Sequence, residues 1–173
     1  LCHTASIVMS DFPKAGLLRR LASLMYDGLV VIAFAMLTTI MYLFFIQSLI
    51  SFGVLSLGKY EDVSALIQGS SLLYGLRAIL LVLVSVLFFS YFWTKSGQTI
   101  GMRAWRLKVQ TPDGALLSWP KAMLRSLTAV LGLGNLLVLI DFKQKRALQD
   151  MICGTEVVFL TKEENKKVYN SLD

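Results

Sequence analysis

Two long apolar runs dominate the chain. Residues 21–47 read LASLMYDGLVVIAFAMLTTIMYLFFIQ and carry one charge, Asp27. About 20 apolar residues cross a ~30 Å hydrocarbon core, so this run predicts a tilted membrane helix. The second run, 72–93, also holds a single charge, Arg77, and ends on Tyr91, Phe92 and Trp93. Aromatic rings gather at headgroup level, which fits a span ending there. A third stretch, Leu127–Ile140, is shorter and contains Gly132, Gly134 and Asn135. Its length suits a re-entrant or interfacial segment, or a buried helix. It becomes a full span only if extended over about 121–141, which takes Arg125 into the membrane with it.

Between and after these runs the period changes. Trp105–Gln110 alternates as WRLKVQ, placing Trp105, Leu107 and Val109 on one inward face of a strand. Thr111-Pro112-Asp113-Gly114 is a turn, after which Ala115–Ser118 can return as a second strand. The β-branched run Thr155–Leu160 can add a third. Ser118-Trp119-Pro120 predicts a helix start, with Ser118 as N-cap and Pro120 in the first turn. A small antiparallel sheet must pack on helices or the bilayer, because an isolated hairpin is marginal. The tail, 161–173, is mixed in charge and expected to fray.

Composition supports the membrane reading. Of 173 residues, 55% are apolar and 16% charged, against ~25% charged in soluble domains. That balance argues against an ordinary cytosolic enzyme and rules out a disordered chain. The net charge of +6 suits a membrane surface or nucleic acid. Because apolar runs interrupt the charges, we expect the lipid bilayer as partner and no nucleic acid. Cys2 and Cys153 are too few for a disulfide scaffold or zinc site, and His3 is the sole histidine. No metal, cofactor, catalytic triad or enzymatic role is expected. Gly97–Gly101 (GQTIG) resembles a phosphate loop only superficially, lacking the GK[ST] ending. The first methionine is Met9, and residues 1–8 are expected to be a mis-assigned start. A signal peptide is not expected, since the first apolar run far exceeds a ~7–15-residue signal core.

Lysine and arginine set the orientation. Lys14, Arg19 and Arg20 precede the first span; Lys59 alone lies in the 48–70 loop; Lys95, Arg103, Arg106, Lys108, Lys121 and Arg125 crowd 94–126. The N-terminus and 94–126 are therefore expected in the cytoplasm, with 48–70 outside. Lys143, Lys145 and Arg146 favour two crossings over three.

Arg20 and Asp27 are the first candidates for chemistry. Seven residues apart, they share one helix face within ~20° but are separated by a ~10 Å rise. An acid at membrane depth costs roughly 2.5–3.5 kcal/mol on the insertion scale, so it needs a partner, a wet cavity or a cation. The alternatives are an ion or proton site and a structural charge lock. Arg77 lies too near the outer end of its span to reach Asp27, whereas Arg125, or Arg20 of a neighbouring protomer, is at a suitable depth. Asp150 either pairs with Arg146 on an exposed helix or folds back toward Arg20. Periodicity alone does not decide between these two placements of Asp150.

These residues resemble the RDD family of membrane proteins, named for one arginine and two aspartates. RRLASLMYD supplies Arg20 and Asp27; SGQTIGMRAWRLKVQTPDG and DFKQKRALQDMICGTEVV match two further family stretches, and Asp150 is the second aspartate. Gln149 stands where the family usually has histidine. The resemblance covers about 15–160. It implies an all-α membrane protein of two to three transmembrane helices with a small cytoplasmic antiparallel β element, in a bacterial inner membrane. Arg20, Asp27 and Asp150 are then expected to form the ion/proton site or charge lock, both aspartates converging on Arg20, whose guanidinium can serve two carboxylates, with Arg77, Arg125 and Asp141 expected as secondary partners. The implied activity is transport, such as exchange of monovalent cations and protons. Two or three spans cannot enclose a pathway, so a homo-oligomer or partner membrane protein is implied. The alternative is a non-transporting accessory or scaffold subunit.

Overall fold

The structure, a computed structural model, describes residues 12–129 and 147–170. The chain divides into two compact units, one made of 1–28 with 86–173 and the other of 29–85. Two helices match the two long apolar runs: α1 (Leu17–Ser51) and α3 (Ser71–Lys95). At 1.5 Å per residue both exceed a ~30 Å hydrocarbon core. Only 11% of the most apolar window of each helix is buried. A helix that is apolar all round and uncovered by protein is suited to lipid.

In the 29–85 unit, the connection expected as a loop contains a further helix, α2 (Val63–Gly69). Asp62 caps it, its carboxylate accepting the Ala65 N–H at 2.7 Å. Tyr42, Ile46, Leu66 and Ile67 form a small core, and the Tyr42 hydroxyl donates to the Leu73 carbonyl at 2.9 Å. Arg77 stacks over the Tyr74 ring of its own helix, 5.3 Å from the centroid. Among the described residues it has no carboxylate within ion-pair distance, and the ring face offers the guanidinium a favourable contact.

The other unit carries α4 (Ile100–Ala104), β1 (Leu107–Gln110), α5 (Trp119–Thr128), α6 (Leu148–Cys153), β2 (Glu156–Phe159) and α7 (Lys162–Asn170). β1 and β2 pair antiparallel, Leu107 opposite Phe159 and Gln110 opposite Glu156. The antiparallel sheet is therefore present, but β1 has a distant partner. Ala115–Ser118 is not a strand. The turn does form, with the Thr111 N–H bonded to the Ala115 carbonyl and Gly114 at φ 82°, but 115–118 makes no ladder with β1 beyond that bond. Gly97 approaches β1 instead, its carbonyl 2.7 Å from the Val109 N–H; its φ of 71° suits glycine.

Leu107 and Val109 face a core with Ala15, Trp93, Met102, Leu117, Ala122 and Val157. Trp105 does not join them. It is the residue that ends α4, and it is 36% exposed. The alternation begins only at Leu107, where the strand begins. Trp105→Ala is thus expected to change the thermal midpoint little. Leu107→Ala should cost roughly 2–5 kcal/mol as a buried large-to-small change. Paired melting curves of the two purified variants check this ordering.

Ser118 is the N-cap residue of α5 and Pro120 lies in its first turn, as expected, without a capping bond from the Ser118 side chain. One smaller expectation changes. The tail is helical from Lys162 to Asn170, because Asn165 is tied down: Gln98 Nε2 donates to its Oδ1 at 2.8 Å, and its own Nδ2 donates to the Arg103 carbonyl at 3.2 Å. Residues 1–8 and most of the third apolar stretch lie outside the described residues.

Candidate functional site

The site lies in the unit that holds the start of α1 and the end of α3. Asp150 is the third residue of α6, where an acid complements the exposed N–H groups of a helix start. Its Oδ2 accepts the Ala147 N–H at 3.0 Å. The same oxygen accepts from Arg20 Nη1 at 2.6 Å, and Oδ1 accepts from Arg125 Nη1 at 2.5 Å. Arg125 Nη1 also donates to the Thr155 hydroxyl, and its guanidinium lies 5.1 Å from the centre of the Trp93 ring. Arg20 Nε donates to the Ala15 carbonyl at 3.2 Å. All three charged side chains are buried: Arg20 5%, Arg125 2% and Asp150 1% exposed. Thus α1, α5 and α6 are joined at one carboxylate, and α3 is reached through the Trp93 ring beside Arg125.

Burial alone would push the Asp150 carboxyl up. The guanidinium of Arg125, then that of Arg20, and the Ala147 N–H outweigh it and hold the carboxyl below its ordinary value of 3.8. Asp150 is therefore a fixed anion at neutral pH.

Asp27 has a different environment. It is 2% exposed, and Thr99 donates its hydroxyl to Oδ2 at 2.5 Å while the Gly101 N–H donates to Oδ1 at 2.8 Å. Thr99 also caps α4, its oxygen accepting the Met102 N–H at 3.2 Å. Asp27 thus takes one of the free N–H groups at the start of α4. Among the described residues, no basic side chain lies within ion-pair distance of Asp27.

Arg20 and Asp150 meet as expected. The convergence of both aspartates on Arg20 does not occur; two arginines converge on Asp150. The reason is the axial rise: Asp27 lies two turns along α1 from Arg20. Arg125, expected as a partner for Asp27, binds Asp150. Arg77 lies in the other unit, and Asp141 and Arg146 fall outside the described residues. Thr99 and Gly101 were missed as site residues, although both lie in the GQTIG stretch that carries the family resemblance. Gly101 is required by contact: a Cβ there would strike the Ser23 carbonyl and stand 2.9 Å from Asp27 Cγ.

The profile of the RDD family matches residues 14–154, which include Arg20, Asp27, Asp150 and every contact just described except that from Thr155. The chain belongs to the RDD family. With its two apolar helices, this RDD protein is a membrane protein. No curated protein and no solved structure matches it.

Proposed function

We propose that this RDD protein takes part in transport, exchanging a monovalent cation for a proton at Asp27. The observation behind this reading is the division between the two acids. Asp150 is bound by two guanidiniums, whereas the donors to Asp27 among the described residues are neutral. A carboxylate held by neutral groups can take a proton or a hard cation without breaking an ion pair. Its oxygen and the Thr99 hydroxyl are ligands of the kind such cations prefer. Arg20, Arg125 and Asp150 would hold the frame around it. The lysine and arginine distribution supports a multi-pass protein of the bacterial inner membrane with its N-terminus and sheet in the cytoplasm. A pathway would be completed by a homo-oligomer or a partner membrane protein.

The alternative is an accessory or scaffold subunit, in which the two donors to Asp27 serve to tie α1 to α4. Proteoliposomes loaded with a pH dye and given a sodium or potassium gradient separate the two. Exchange predicts ion-driven proton flux with wild type. Asp27→Asn should keep the wild-type melting midpoint and lose the flux to the level of empty vesicles. Absence of flux in wild type, or undiminished flux in the variant, would sink the exchange reading. An Asp27→Asn protein that fails to fold or assemble would support the scaffold.

A further inference from the structure

The short helix α5 is built inside out for a protein in water. Its inward side presents Ala122 and Arg125, 0% and 2% exposed. Its exposed residues are Trp119, Pro120, Met123, Leu124 and Leu127. At 100° per residue these five fall within an arc of ~140°, and none is polar. Trp119, Leu124 and Leu127 are 47%, 47% and 58% exposed. Lys121, Ser126 and Thr128 lie on the flanks of the arc. A contiguous outward patch of this kind marks an interaction surface.

The inward side fixes what the patch meets. Arg125 bonds Asp150, which bonds Arg20 near the start of α1, and the Arg125 guanidinium stacks on Trp93 near the end of α3. Through this one side chain α5 is pinned at the ends of both membrane helices. In the same unit, Leu18 and Met25 of α1 and Tyr91 of α3 are also outward, 82%, 74% and 49% exposed. The apolar arc of α5 is thus held, through Arg125, at helix ends that also carry outward apolar residues. Trp119, at the first position of the helix, is the residue type that favours the headgroup level.

We propose that the outward arc of α5 is a lipid-contact surface, seated in the bilayer where α1 and α3 enter it. In consequence the Arg20–Asp150–Arg125 cluster lies under a lid of lipid-facing helix, shielded from bulk water. Its charges are satisfied on the protein side, so α5 can bring an arginine to the membrane without exposing it to acyl chains.

The test uses full-length protein in proteoliposomes of neutral and anionic phospholipid, with Cys2→Ser and Cys153→Ala as background. Nitroxide labels are placed singly at Met123, Leu127, Lys166 on α7 and Met36 on α1. Collision with oxygen, which partitions into lipid, is compared with collision with a water-soluble nickel chelate. We expect the oxygen-to-nickel ratio at 123 and 127 to be severalfold that at 166 and to approach that at 36. A ratio at 123 and 127 equal to that at 166 would overturn the proposal. Low collision with both reagents would overturn it too; spin–spin broadening would then identify a second copy as the occupant, and its absence a different protein surface. An aqueous ratio at 36 as well would overturn the membrane placement of α1 and this proposal with it.

Discussion

Asp150→Ala is expected to lower the thermal midpoint more than Arg20→Ala or Arg125→Ala. Removing the acid leaves two buried guanidiniums facing each other with no carboxylate between them. Removing either arginine leaves the other on Asp150. Breaking a buried pair by deleting one partner costs roughly 3–5 kcal/mol. This ranking is the reverse of what a single arginine serving two acids would give. Melting curves of the three purified variants in one detergent check it, and an Arg20→Ala midpoint at or below that of Asp150→Ala would refute it. The pH dependence follows from the direction of the shift. Because the folded carboxyl lies below its ordinary value of 3.8, its contribution is complete above that value. It is lost only as the pH falls through the lower, folded value. Wild type should therefore show no loss from this group between about pH 5 and 8, and a loss below about pH 4 that Asp150→Ala lacks.

The second large effect is expected at Gly101. An alanine Cβ would meet the Ser23 carbonyl, which is backbone of α1, and would stand 3.0 Å from the Asp27 carboxylate oxygen that the Gly101 N–H holds. Overpacking of this kind costs typically ~1–3 kcal/mol. Moving α4 away to relieve it leaves a buried carboxylate short of a donor, which costs a further ~1–3 kcal/mol or more. Gly28→Ala is the control: it lies in α1 beside Asp27, and nothing stands within 4 Å of the added Cβ. Alanine in a helix interior is favoured over glycine by roughly 0.5–1 kcal/mol, so Gly28→Ala should keep or raise the midpoint. Equal midpoints for the Gly101 and Gly28 variants would show that the close approach of α4 to α1 carries no energy.

What was legible in the sequence follows from the range of each signal. The membrane helices are read from composition over twenty or more residues, and both were found where expected. Leu107 and Val109 alternate within one strand, so their inward face was also legible. The partner of β1 was not, because pairing with residues near 157 is a tertiary fact that periodicity does not encode. Within the site, Arg20 and Asp150 were named and do meet, although 130 residues separate them. Assigning Arg125 to Asp27 failed for a related reason. Depth along a span says which charges share a level but not which face each helix turns to the others. Thr99 and Gly101 are invisible to charge-based reading altogether. One contributes a hydroxyl and an amide-capping oxygen, the other only the lack of a side chain.

The two-stranded sheet has one more consequence. Each strand has an outer edge with backbone groups that could template another chain. On β2 that edge is occupied: the Ala15 N–H bonds the Val157 carbonyl, and the Phe159 N–H bonds the Pro13 carbonyl. On β1 the Val109 N–H is taken by Gly97, and the Leu107 carbonyl accepts from Gln98 Nε2 at 2.7 Å. Both borders of the sheet are sealed by the chain's own segments, so strand addition is not open to a neighbouring molecule there. The hazard of runaway cross-β growth is thereby closed off at this sheet.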